Sequence, residues 1–106
     1  DLLNATVGES TQSIRTRCDA ARARAIERQG SSNMALQGQA IDQHILLEPD
    51  ALKFLNVAAS RLGWSARGTH RALKVARTIA DLAGAQYTQV AHLAEAMRYR
   101  RNPGTL

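Results

Sequence analysis

A chain of 106 residues is large enough for one modest hydrophobic core and too small to hold a P-loop ATPase module together with a lid of its own. Hydrophobic residues make up 44% and charged residues 22%, the composition of a folded domain rather than of a disordered tail. Lys and Arg number 14 against 9 Asp and Glu, a formal charge of +5, which favours phosphate-bearing partners, nucleotide or nucleic acid, without choosing between them.

Polar or charged residues interrupt every apolar segment, so none approaches the roughly 20 residues of a membrane-spanning helix and no membrane partner is expected. The chain opens on Asp1 rather than Met and shows no secretory pattern, from which a piece of a longer cytoplasmic protein is expected. Cys18 is the single cysteine. It excludes an internal disulfide and a cysteine-based zinc cluster, and it fits a reducing compartment.

Helical spacing recurs along the chain and no segment keeps the strict alternation of a half-buried strand, so the reading is all-α. The first helix is predicted over Gly8 to Arg28, with Ile14, Cys18, Ala21 and Ala25 on a narrow apolar face and Arg15, Arg17, Arg22, Arg24 and Arg28 around the remainder. Gly30-Ser31-Ser32-Asn33 should stop it. Between 35 and 47 the expectation is one short helix. Pro49 suits the opening turn of the next helix and Asp50 its positive dipole end; the predicted stripe is Leu52, Leu55, Ala58, Ala59 and Leu62, with Gly63 as a left-handed terminus.

Ser65 is the predicted N-cap of a third long helix whose inner face is Ala72, Val75, Ala76, Ile79, Leu82 and Ala83, ended by Gly84. Thr88 can cap a final helix with Val90, Leu93, Ala94 and Met97 inward, stopped by Pro103, and Tyr87 and Tyr99 are read as packing residues near its ends. The domain 1–106 is thus expected to be a small bundle of four helices, or five if 35–47 contributes one.

Catalytic and metal-binding patterns are missing from the sequence. G-x-x-x-x-G-K-[ST] does not occur, so the chain cannot make a phosphate cradle alone. His44, His70 and His92 lack metal-ligand spacing, His44 and His92 are read as solvated or half-buried, and Cys18 as a small core residue. No Ser or Cys pairs with an evident base. Trp64 is read as a hydrophobic staple on the helix it precedes rather than as a base-stacking surface. The arginines of the first helix could track nucleic acid or solvate a face and pair with acids.

The informative stretch is Leu62 to Ala83, L-G-W-S-A-R-G-T-H-R-A-L-K-V-A-R-T-I-A-D-L-A. A Ser65 cap places Arg67 in the opening turn, beside free N–H groups and the positive dipole end, where an anion is stabilised. Arg71 follows one turn on, then Lys74 and Arg77 or Thr78, which extends a basic strip; Arg77 can also reach Asp81 at i,i+4.

Ser65-x-Arg67 leading into His70–Leu82 resembles the C-terminal domain of the magnesium-chelatase-related, competence-protein branch of the AAA+ ATPases. The likeness continues through His92–Ala96 and Tyr99-Arg100, and upstream into the arginine-rich first helix and Asn33. It implies a helical lid on a P-loop domain of the same polypeptide, with ATP and Mg as the cofactors of the whole protein, and neighbouring subunits of a homo-oligomeric ring and DNA, through a branch-migration helicase, as its partners. Arg67 matches by position the sensor 2 arginine that contacts nucleotide phosphates, and Arg71 is the second candidate. No catalytic residue and no metal ligand is assigned to the chain itself, and nothing in it supports metal insertion into a porphyrin. The competing readings are a free-standing basic helical module that binds DNA and a plain protein-interaction bundle.

Overall fold

The computed structural model describes residues 10–100, with side chains described through Arg98. The first helix, α1, is Thr11–Gln29: the Ser10 Oγ accepts from the Ser13 N–H at 3.0 Å, and Gly30, at φ 80°, turns its N–H back to the Ile26 carbonyl. Its start lies three residues after the expected one at Gly8, which falls outside the described residues. A 3-10 turn, Asn33–Ala35, follows, and the six-residue helix α2 (Gln39–His44) is the one short helix expected between 35 and 47. Helix α3 is Pro49–Leu62, with Pro49 in its opening turn and Gly63 at φ 66° as its terminus; α4 is Ala66–Leu82 and α5 is Val90–Arg100. No strand occurs among the described residues, but an isolated parallel bridge joins Leu47 to Thr88, through Thr88 N–H to the Leu46 carbonyl and Glu48 N–H to the Thr88 carbonyl, both at 3.0 Å.

Helix α4 is the hub. It packs against α5, α1, the 3-10 turn and α2, while α3 leans on α5. The core joins Leu36, Ile41 and Ile45 from the segment before α3, Ala51 and Leu55 from α3, Leu73, Ala76 and Ile79 from α4, and Leu93 and Ala96 from α5. Each fully buried leucine of this set contributes roughly 1.5–3 kcal/mol. Ala72, Ala76 and Ala80 on α4 and Ala21 and Ala25 on α1 are all buried, and their small side chains let the helix surfaces approach closely.

Several inward assignments shift by a residue. On α3 the buried positions are Ala51, Leu55 and Ala58, a face displaced by about 100° from Leu52, which stays exposed together with Leu62. The large leucines outweigh the alanines in an apolar pattern, whereas the close helix contacts accept the alanines. On α1 only Ala21 and Ala25 are buried; Cys18 is exposed, so it is not a core residue. Leu73 joins the α4 face, Ala83 is exposed, and on α5 Ala96 and His92 are buried in place of Ala94. Tyr87 is exposed rather than packed, and the Tyr99 side chain lies outside the described residues. Among the described residues the Thr88 hydroxyl has no hydrogen-bond partner, and it does not cap α5; instead the Gln89 N–H donates to His92 Nδ1 at 2.9 Å, which seats the buried imidazole at the start of that helix.

Arg77 is the largest correction. It belongs to no surface strip: at 1% exposure it lies inside the fold, and its Nη2 donates to Asp81 Oδ1 at 2.9 Å, the i,i+4 pair the spacing allowed. Arg77 also donates to the Ala85 and Gln86 carbonyls, which fixes the α4–α5 loop. From α1, Arg28 makes a two-point contact with Asp81, Nη1 to Oδ1 at 3.0 Å and Nη2 to Oδ2 at 3.1 Å, while Arg24 donates to the Asp81 carbonyl at 2.8 Å. From the 3-10 turn, Asn33 Nδ2 donates to Asp81 Oδ2 at 2.9 Å and to Thr78 Oγ1, and Asn33 Oδ1 accepts from Arg28 and Gln29. One carboxylate therefore ties three segments and a loop together.

Burial pushes the Asp81 carboxyl up, but hydrogen bonds from Arg28 and Asn33 and the charges of Arg77 and Arg28 more than offset it, leaving it below its ordinary value of 3.8. His92 is driven below its ordinary value of 6.5 by burial and then by the charge of Arg77, against a partial pull from Glu95 and Glu48.

Replacing Asp81 by Ala leaves Arg77 buried without a counter-ion, and a loss of about 3–5 kcal/mol in chemical denaturation is expected; a loss under about 1 kcal/mol would contradict this role. The pH dependence has two steps of the same sign. Below 6.5 the unfolded chain protonates its His92 before the folded chain does, so stability falls as pH drops toward the folded value; below 3.8 the depressed Asp81 adds a second loss in the same direction. Urea midpoints should decline from pH 7 to 5 and again toward 3, and His92→Gln should remove the upper decline alone.

Candidate nucleotide-phosphate site

The segment leading into α4 is fixed before the helix starts. Gly63 takes the left-handed turn, the Trp64 N–H donates to the Ala59 carbonyl at 3.0 Å, and the half-buried indole packs against the core. Ser65, extended at φ −72° and ψ 166°, accepts the Gly68 N–H on its Oγ at 3.1 Å and the Thr69 N–H on its carbonyl at 2.9 Å. The expected cap is thus in place, and Arg67 is the second residue of the helix.

Arg67 and Arg71 are both exposed, and neither makes an ion pair or hydrogen bond with a described residue. They line one hollow of about 570 Å³ together with His70 and Lys74, facing Met34, Gln37, Gly38 and Ile41 across it. Positions 67, 70, 71 and 74 recur at i, i+3, i+4 and i+7, which puts them on one stripe of α4. Lys74 Nζ donates to the Met34 carbonyl at 3.3 Å, so the stripe is tied at its far end to the 3-10 turn. Among the described residues no Asp or Glu lines the hollow. Its field is set by cationic side chains and the positive end of the α4 dipole, a combination that stabilises an anion.

The structure brings Arg67, Arg71 and Lys74 together, as the strip reading expected, and removes Arg77 and Thr78 from that surface, since both serve the Asp81 network. His70 and the wall from Met34 to Ile41 were not foreseen. The i+3 spacing from Arg67 carried a signal for His70, whereas the wall rests on a tertiary contact that no local pattern encodes. On α1, Arg28 turns into the protein and Arg24, though exposed, gives its guanidinium to the Asp81 carbonyl, which leaves Arg15 and Arg22 as further exposed arginines of the first helix. Among the described residues no group of three His, Cys, Asp or Glu is placed to hold a metal ion, and no helix is long and apolar enough to cross a membrane.

A family model described as magnesium chelatase, subunit ChlI C-terminal, matches residues 8–100. The chain belongs to this family. Its likeness to the competence protein ComM of Haemophilus influenzae is 41% identity over 93 residues, covering 88% of this chain and 18% of that protein. The YifB proteins of Salmonella typhimurium and Escherichia coli are 39% and 40% identical over 97 and 101 residues, covering 92% and 93% of this chain. The chain spans about a fifth of the length of these relatives, 18–20%. No solved structure matches it. Membership covers the Asp81 network, the α4 stripe and the α5 start alike, since all lie within residues 8–100.

Because Ser65 sets where α4 begins, Ser65→Ala should cost about 1 kcal/mol in denaturant unfolding; an unchanged midpoint would show that Trp64 and Gly63 hold the helix start without the cap.

Proposed function

We propose that this chain is the helical lid of an AAA+ ATPase of the magnesium-chelatase-related type, and that Arg67, with Arg71 behind it, contacts the phosphates of a nucleotide bound mainly by a P-loop domain of the same polypeptide. The observation that carries the proposal is the placing of Arg67: exposed, in the first turn of a capped helix, beside an acid-free cationic hollow, while other arginines of the bundle are spent on Asp81. Membership of the family and the likeness to ComM support it.

The chemistry follows from the guanidinium. It is charged at every accessible pH and presents planar donors that bridge phosphate oxygens, so it lowers the barrier by matching charge that develops as the terminal phosphoryl group departs. ATP supplies the phosphoryl group, and the Mg ion that accompanies it would be held outside this hollow, which offers no carboxylate. The domain does not hydrolyse ATP alone. Lid and P-loop domain close together around nucleotide, so the same contact would report nucleotide state to neighbouring subunits of a homo-oligomeric ring. A cytoplasmic motor acting on DNA as a branch-migration helicase is the whole-protein activity this reading favours. A free-standing basic DNA-binding module has less support, because the Arg24 and Arg28 guanidinium groups are engaged by Asp81.

In the full-length ATPase, Arg67→Ala should lower the turnover of ATP by about a hundredfold, the scale of losing one donor aimed at developing charge. Hydrolysis and nucleotide affinity equal to those of the unaltered protein would remove Arg67 from the site.

A further inference from the structure

The first turn of α5 closes on an imidazole. Gln89 immediately precedes the helix, and its N–H donates to Nδ1 of His92, the third helical residue, at 2.9 Å. The pattern is that of a capping box, in which the third residue reaches back to the backbone of the cap, a position where Glu or Gln ordinarily supplies the acceptor. A ring nitrogen accepts only while it carries no proton, so this cap exists with the neutral imidazole alone.

More than the helix start hangs on that bond. Thr88, the residue before Gln89, makes the bridge to Leu46 and Glu48, and the Gln89 side chain donates to Glu48 Oε2 at 3.2 Å. The bridge joins the α4–α5 loop to the segment entering α3. It lies near water: Leu46 and Tyr87 beside it are exposed, and a hollow of about 420 Å³ lined by Leu47, Glu48, Pro49, Asp50 and Tyr87 opens next to it. The earlier part of the loop is held separately, by Arg77 on the Ala85 and Gln86 carbonyls. Losing the cap therefore frees the bridge while the Asp81 network stays closed.

We propose that His92 is a proton-operated latch: neutral, it holds the start of α5 and, through Thr88, the segment entering α3; protonated from solvent, it releases both and turns to a carboxylate of its own helix. The second state has its acceptor in place. Glu95 lies at i+3, a neighbouring position on the helix surface, and its Oε2 is buried without a hydrogen-bond partner among the described residues. Burial, Arg77 from α4 and the positive end of the α5 dipole oppose charging of the ring, whereas Glu95 from its own helix and Glu48 from the segment entering α3 favour it. In the open state the ring regains water and a carboxylate, so it binds a proton more tightly than in the closed state. The latch is accordingly shut above the ordinary imidazole value of 6.5 and loosens as the pH falls below it.

The test is a titration of the chain, which closes its own hydrophobic core, from pH 7 to 5 by nuclear magnetic resonance, following the His92 ring nitrogens and the backbone amides. At pH 7 the ring should carry its proton on Nε2. As the pH falls, the Glu48, Thr88 and Gln89 amides should move with the midpoint of the ring and lose about tenfold in protection against exchange, while the Ala76 and Ile79 resonances stay in place. His92→Gln, whose side-chain carbonyl accepts the same N–H at every pH, should hold the three amides still throughout. Glu95→Gln should move the ring midpoint to lower pH; an unchanged midpoint overturns the carboxylate as the second partner. A ring that charges with the three amides unmoved, or that stays neutral to pH 5, overturns the latch. So does simultaneous loss of the Ala76 and Ile79 resonances, which makes the event an unfolding of the whole bundle.

Discussion

A single buried carboxylate, that of Asp81, has to neutralise the buried guanidinium of Arg77 and the half-buried one of Arg28, and the arrangement of this bundle follows from how it does so. Arg77 comes from the same helix, Arg28 from α1, and Asn33 from the 3-10 turn between them. Satisfying the carboxylate therefore requires α1, the turn and the second half of α4 to sit in one relative position. An apolar replacement of similar shape could be as stable, because taking charges out of water costs several kcal/mol per ion. What the charged version adds is direction. Hydrogen bonds to named oxygens reject the small slides that alanine-on-alanine packing between α1 and α4 would otherwise tolerate.

This requirement divides α4 into halves with different duties. From Ala76 to Leu82 the helix is buried in α5, α1 and the turn, and its polar residues, Arg77, Thr78 and Asp81, are consumed internally. From Ala66 to Lys74 the helix turns Arg67, His70, Arg71 and Lys74 to a hollow that no Asp or Glu lines among the described residues. The two halves are coupled through the 3-10 turn, which receives Lys74 at the Met34 carbonyl and gives Asn33 to Asp81 one residue earlier. Loosening Asp81 would therefore disturb the wall of the hollow as well as the core.

Local chemistry made much of this readable in the sequence. Ser65, Gly63, Gly30 and Pro49 act through their own backbone and side-chain preferences within a few residues, and each sits where it was placed. The Arg77–Asp81 pair was legible because i,i+4 spacing is a local distance. The partners of Asp81 from α1 and from Asn33 were not, since a chain separation of 53 or 48 residues carries no periodic signal. Leu55 and Ala58 are buried as expected, but the edges of the α3 face were misjudged for a related reason: burial there is decided by which side chains fit a close helix contact, and Ala51 fits where Leu52 and Leu62 do not. Of the resemblance-bearing stretch from His70 to Leu82, the second half describes the buried network and the first half the stripe, so its length reflects structure as much as chemistry.

We propose that Arg67, one of the guanidinium groups this internal neutralisation leaves exposed, meets the nucleotide. The most direct measurement is an experimental structure of the full-length polypeptide with a non-hydrolysable ATP analogue bound. The account predicts the Arg67 guanidinium within about 3 Å of a terminal-phosphate oxygen, with Arg28 and Arg77 still on Asp81. A bound analogue whose phosphates lie away from the start of α4, with Arg67 in open solvent, would contradict it.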